Sequence, residues 1–162
     1  MTRLAQVYLS IGSNIDREKN IRSCLTRLQQ DYPDIIFSTI YETEAVGFDG
    51  DPFLNLAAGL QTSLSPQQME SYLKTIEDEH QRSRAGKKFS SRTLDIDLLL
   101  YDQRVLHPQM DIPRREITEY DFVLFPLAEI AADVIHPTLN KSIAELAQVS
   151  TLDADKLKPV SL

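Results

Sequence analysis

Between Ala5 and Tyr101 the hydrophobic period of this chain switches from two residues to 3.6 and back, twice, and that succession limits the folds open to it. Ala5, Val7, Leu9 and Ile11 alternate with Gln6, Tyr8 and Ser10, which predicts a strand ending at the turn residues Gly12-Ser13-Asn14. From Asp16 the apolar residues Ile21, Cys24, Leu25 and Leu28 recur at helical spacing, with Glu18 four residues ahead of Arg22, until Tyr32-Pro33-Asp34 closes the helix. Residues 35–41 are rich in β-branched and aromatic side chains and predict a second strand; 42–52 is a loop by its Gly, Pro and Asp content. A third strand is predicted over 53–62, with Phe53, Asn55 and Ala57 on one face and Leu54, Leu56, Ala58 and Leu60 on the other.

The sequence Ser65-Pro66-Gln67-Gln68 supplies a helix start: serine as the cap, proline at the first position and glutamine as the reciprocal partner. Met69, Tyr72, Leu73 and Ile76 form the buried stripe of that helix, and Glu77 falls at its border, where it is expected to reach a cleft while staying hydrated. A fourth strand follows from Leu94. The order strand–helix–strand–strand–helix–strand is the split βαβ, ferredoxin-like pattern of an α+β domain, an antiparallel sheet flanked by helices. Short helices are predicted over 126–132 and 142–149, with Glu145 in a capping box, and the tail from Thr151 lacks periodicity and is expected to fray. With 162 residues and no repeat or linker, one domain over 1–162 accounts for the chain.

The fourth strand carries the chemistry. Asp95 and Asp97 project to one face, while Leu94, Ile96 and Leu98 line the other. Leu98-Leu99-Leu100 interrupts the alternation, which suits a central strand buried on both faces rather than an edge. Two neighbouring carboxylates repel, and a hard cation such as Mg²⁺ holding phosphates is the natural compensation. Arg82, Arg84, Lys87, Lys88 and Arg92 crowd the glycine- and serine-containing segment just before them, a loop suited to clamping polyphosphate. The bland alternatives are a solvated acidic edge and a charged surface turn. Phe53 beside Asn55 can stack on and hydrogen-bond a flat polar heterocycle, although such a pair also serves core packing and backbone satisfaction.

Composition narrows the classes further. A net charge of −7 argues against a nucleic-acid binder. No stretch approaches bilayer-spanning length, and Met1-Thr2-Arg3-Leu4-Ala5 runs straight into strand, leaving no room for a signal peptide. The lone Cys24 fits a reducing cytoplasm and a buried hydrophobic role. No P-loop is present, and Gly12-Ser13 lies too far from the aspartates for a polymerase-type nucleotidyltransferase signature. A non-catalytic ferredoxin-like binding module would explain the fold but not the carboxylate pair.

Taken together, the residues resemble the 6-hydroxymethyl-7,8-dihydropterin pyrophosphokinases of folate biosynthesis. The resemblance is carried by Leu9-Ser10-Ile11-Gly12-Ser13-Asn14, Tyr41-Glu42-Thr43 with Val46-Gly47, Phe53-Leu54-Asn55 and Ile76-Glu77 with Arg82 and Arg84. It continues through Arg92-Thr93-Leu94-Asp95-Ile96-Asp97 and Phe122-Val123-Leu124 to Pro126-Leu127-Ala128-Glu129-Ile130-Ala131. It implies transfer of the terminal diphosphate of ATP to the pterin hydroxymethyl group, leaving AMP. It implies two Mg²⁺ ions on Asp95 and Asp97, with Arg82 and Arg92 acting on the phosphates. Glu77, Arg84 and Leu98 would contact ATP, Leu98 bordering the adenine. The pterin would lie between Phe53 and Phe122, its polar edge read by Asn55 and the backbone around Thr43 and Val46, with Phe89 as the loop aromatic. The implied partners are small molecules, and nothing in the sequence demands more than a monomer.

One segment departs from the family pattern. Where a histidine is usual this chain has Arg114, and where an arginine usually precedes Phe-Val-Leu it has Tyr120. Ser90-Ser91 replaces the usual Gly-Pro before Arg92. Arg114 can still donate to a phosphate, with a permanent charge in place of a titratable one, but Tyr120 cannot replace a guanidinium. Two readings follow: a working enzyme with a variant phosphate clamp, or a paralogue with reduced activity or a shifted pterin substrate.

Overall fold

A computed structural model describes residues 3–45, 49–80 and 93–162. The first strand, β1 (Ala5–Ser13), leads into helix α1 (Arg17–Asp31), then β2 (Ile36–Phe37), β3 (Ile40–Thr43) and β4 (Phe53–Thr62). Helix α2 (Pro66–Glu79) precedes β5 (Asp95–Tyr101); then come α3 (Glu116–Glu119), α4 (Asp121–Ala131), α5 (Ile143–Val149), a 3-10 turn over Ala154–Lys156 and β6 (Lys158–Val160). The strands order as β5-β1-β4-β3-β6, with β2 also pairing β4, and every pairing is antiparallel. β1 and β3 thus lie on either side of β4, which is the split βαβ arrangement expected from the element order.

Each alternation serves a different layer. Val7, Leu9 and Ile11 of β1 with Leu54, Leu56, Ala58 and Leu60 of β4 face α1 and α2, which contribute Ile21, Cys24, Leu28, Met69, Leu73 and Ile76 to one core. Tyr8, Ala57, Leu99 and Leu100 face the other way, against Val123, Leu124, Leu127 and Ala131 of α4 and Ile143 and Leu146 of α5. Burial pushes the Cys24 thiol up to about 12, with Glu77 adding to the effect, so this cysteine is an inert hydrophobe. The capping boxes at Ser65/Gln68 and Ser142/Glu145 both form, each satisfying helix-end donors reciprocally.

Several expectations are corrected. The predicted strand over 35–41 is two pieces, because the Ser38 hydroxyl accepts from Ala57 N–H and interrupts the ladder; the second piece continues to Thr43. Helix α4 starts at Asp121 rather than Pro126: Val123, Leu124 and Leu127 keep one apolar stripe against the sheet across the proline, whose missing N–H packing offsets. The tail, which lacks periodicity, still forms β6, paired with the outer side of β3.

The largest correction concerns β5. It is a terminal strand of the sheet, not a central one, pairing only β1 among the described residues. Its leucines are buried for another reason. Tyr8 pairs Leu100 and Leu9 pairs Leu98, so Leu99 is the extra residue of a bulge that turns the run from one core to the other. The free edge is covered: the Glu77 carboxylate accepts from Ile96 N–H at 2.8 Å, and Arg114 N–H donates to the Leu99 carbonyl at 2.9 Å.

Candidate active site

The antiparallel register brings one end of four strands into a row. Asp95 pairs Gly12, Gly12 pairs Asn55 and Asn55 pairs Tyr41; one step inward, Asp97 pairs Ser10, which pairs Ala57. Paired residues share a face, so Asp95, Asp97, Ser10, Gly12, Asn55, Phe53 and Thr43 all belong to the α4 side of the sheet. Helix α4 lies against this side at Ala57 and Tyr8, and the aspartates sit beyond that packing, partly exposed.

Asn55 is nearly buried, and its Nδ2 donates to Thr43 Oγ1 at 2.5 Å. Gly12 is required beside it: a Cβ on residue 12 would stand 2.7 Å from Asn55 Oδ1 and 3.7 Å from the Phe53 ring. The end of β1 is tied to the neighbouring segments. Ser13 Oγ donates to Thr93 O at 2.5 Å, and Asn14 Nδ2 donates to Asp51 O at 2.9 Å. Arg17 braces the same region, donating to Pro52 O at 3.2 Å and pairing Glu42 at 2.6 Å. On the opposite border, Glu129 of α4 accepts from Thr39 N–H and the Tyr41 hydroxyl, both at 2.6 Å, and those hydrogen bonds outweigh burial to hold its pKa below the usual range.

The carboxylates are electrostatically strained. Burial, then the neighbouring charge of Asp95, raises the Asp97 carboxyl well above an ordinary aspartate, with Glu116 and Glu77 adding to the shift. Arg114 offsets only part of this, through one Nη2 contact to Asp97 Oδ1 at 3.3 Å. A divalent cation fits that deficit of positive charge. Two carboxylates on one face are hard oxygen donors of the kind that would suit a divalent cation such as Mg²⁺.

The sequence-predicted residues divide accordingly. Asp95, Asp97, Phe53, Asn55 and Thr43 come together on one face. Phe122 stands at the start of α4, stacked on Tyr120 with centroids 5.1 Å apart and planes 21° from parallel. Arg114 reaches Asp97 from the free edge of β5. Val46, Arg82, Arg84, Phe89 and Arg92 lie outside the described residues. Glu77 is not hydrated in a cleft; it is 3% exposed, and its carboxylate holds the backbone between the two aspartates. Leu98 packs in the α1/α2 core at 3% exposure, on the face opposite the aspartates. Sequence reasoning assigned no part to Asn14, Arg17 or Glu129. All three lay in or beside recognisable motifs, but nothing local announces a partner so distant along the chain.

Comparison with known proteins bears on the family and the fold. A profile described as 7,8-dihydro-6-hydroxymethylpterin-pyrophosphokinase (HPPK) matches residues 8–132. The 2-amino-4-hydroxy-6-hydroxymethyldihydropteridine pyrophosphokinase of Aquifex aeolicus is 36% identical over 152 residues, 92% of this chain and 94% of that protein. The Bacillus subtilis protein of the same name is 38% identical over 132 residues, 78% of each chain. Among solved structures, wild-type Plasmodium falciparum HPPK-DHPS with pterin and p-hydroxybenzoate matches at a TM-score of 0.70 and 16% identity over 91% of this chain. This chain spans 43% of that longer one, and at such identity the likeness speaks for the fold alone. The chain belongs to the 7,8-dihydro-6-hydroxymethylpterin-pyrophosphokinase family.

Proposed function

We propose that this protein transfers the terminal diphosphate of ATP to the hydroxymethyl group of 6-hydroxymethyl-7,8-dihydropterin, releasing AMP, in folate biosynthesis. The observation that carries the reading is the row Asp95–Gly12–Asn55, which sets a carboxylate pair beside a buried amide on one sheet face, in a chain of this family. Asp95 and Asp97 would hold Mg²⁺, two ions as the family resemblance implies, which would supply charge neutralisation on the phosphates and favour ionisation of the acceptor hydroxyl.

The chain's own residues then do the positioning on which such transfers depend. Asn55, oriented by Thr43, hydrogen-bonds the polar edge of the pterin, and Phe53 and Phe122 stack on its rings. Glu77 fixes the Ile96 amide and so the direction of both aspartates. Arg82, Arg84 and Arg92 bind phosphate oxygens, and Phe89 and Val46 border the pterin, as the family resemblance implies. The reading is of a monomer in the cytoplasm with small-molecule partners. Separately, no helix among the described residues is long and apolar enough to cross a membrane.

A second reading, a family member with a shifted pterin substrate, draws on Tyr120 stacked against Phe122 at the position where an arginine is usual. Incubation with ATP, Mg²⁺ and 6-hydroxymethyl-7,8-dihydropterin tests both. AMP with pterin diphosphate is the expected outcome. ADP would replace the first reading by simple phosphoryl transfer, and neither product would favour the second.

A further inference from the structure

Arg114 is fastened where it can act on Asp97. Its amide donates to Leu99 O at 2.9 Å, which pins it to the free edge of β5 two residues beyond that aspartate. From there Nη2 lies 3.3 Å from Asp97 Oδ1 and 3.3 Å from Glu116 Oε1, while Nε is buried with no acceptor among the described residues. A guanidinium committed to one carboxylate usually meets it with two parallel, shorter hydrogen bonds. Here a single nitrogen is divided evenly between two acids and another donor is idle. Glu116 is the alternative acceptor already within reach: it opens α3, and the next residue's amide, Ile117 N–H, donates to Arg114 O at 3.2 Å, which ties the two backbones together. Both side chains are mostly covered, which keeps solvent from screening the contest between them.

Resting on the reading of Asp97 as a metal ligand, we propose that Arg114 and the divalent cation compete for Asp97, with Glu116 receiving the guanidinium when the metal takes the carboxylate. Arg114 is then a positioning residue that sets metal affinity and balances the acidic cluster of Asp95, Asp97, Glu116 and Glu77. Histidine could do this only when protonated. Arginine is charged at every working pH, so the competition is permanent in this chain.

The test is Mn²⁺ binding to the whole protein, followed by the electron paramagnetic resonance signal of free Mn²⁺, alone and with a non-hydrolysable ATP analogue. Arg114→Gln is expected to bind Mn²⁺ about tenfold more tightly, the scale on which an adjacent opposite charge alters a carboxylate's cation affinity. Arg114→Lys, which keeps the charge, should retain most of the competition. Glu116→Gln should weaken Mn²⁺ binding more in the presence of Arg114 than in Arg114→Gln, a non-additivity that simple loss of one negative charge does not produce. Without divalent cation Arg114→Gln should melt lower than wild type, and saturating Mn²⁺ should close the gap. Wild-type Mn²⁺ affinity in Arg114→Gln, with binding still lost in Asp97→Asn, would overturn the competition and leave the metal site standing. Unchanged Mn²⁺ binding in Asp97→Asn would overturn the metal assignment itself.

Discussion

The two faces of β5 are built from adjacent residues under opposite requirements. Leu94, Ile96 and Leu98 are sealed into the α1/α2 core, at 0%, 5% and 3% exposure, and any polar atom there would need a partner. Asp95 and Asp97, one residue away in each case, stay partly open on the α4 side and crowd like charges together. The closed face supplies stability, which lets the open face hold an arrangement that costs stability. Glu77 connects them: its helix packs on the closed face, and its carboxylate holds the backbone from which the open face projects.

Paired substitutions break that comparison most directly. Asp97→Ala should lower AMP formation by about 10³-fold or more while the chain still folds, because its side chain stabilises charge in the reaction and little else. Its neighbour Leu98→Ala should cost about 3 kcal/mol of stability by emptying part of a packed core, measured by denaturant unfolding. The folded fraction of that variant should keep kcat within a few-fold. A Leu98→Ala protein of full stability and no turnover would mean that the side chain meets nucleotide after all, and the division between faces would fail.

How much of this was legible in the sequence follows from how local each cause is. The caps at Ser65/Gln68 and Ser142/Glu145 act within one helical turn, so the residues alone announce them. The shared face of Asp95 and Asp97 follows from a period of two, and their chemistry from two like charges placed together. What escaped depends on distant chain. The bulge at Leu99 converts a leucine run that reads as a central strand into an edge strand serving two cores in turn. Glu77 looks like a hydrated helix border until β5 arrives beside it, and β6 has no pattern of its own because the edge of β3 defines it. Tyr120 and Arg114 were visible as departures, but their contacts with Phe122, Asp97 and Glu116 were not.

Within the open face, Gly12→Ala sharpens the distinction between the proposed metal and pterin halves. The new methyl would sit 2.7 Å from Asn55 Oδ1 and displace the amide from its bond to Thr43. Losing one such buried hydrogen bond is worth about 1–3 kcal/mol, so KM for the pterin should rise about tenfold or more. Mn²⁺ binding, which depends on the next strand, should be nearly unchanged. Equal losses of pterin and metal affinity would show that the row behaves as one unit.

The smallest expected effect concerns the layer behind the open face. His136, in the connection between α4 and α5, is buried, and its Nδ1 accepts from Thr138 N–H at 3.3 Å and Leu139 N–H at 3.2 Å. Burial holds its pKa below the ordinary histidine value, so the folded protein favours the neutral ring. The sign is then fixed. The stabilisation is fully present above the unfolded value of about 6.5 and is lost as pH falls through the lower folded pKa. Thermal midpoints of wild type and His136→Gln, compared at successive pH values, should converge as the solution is acidified, because only the wild type loses this contribution. The loss should fall on α4 and α5, read as faster amide exchange there than in α1 and α2. Exchange rising equally in both layers would mean that the two faces of the sheet unfold together, and that the open face owes its geometry to the whole domain rather than to the helices stacked on it.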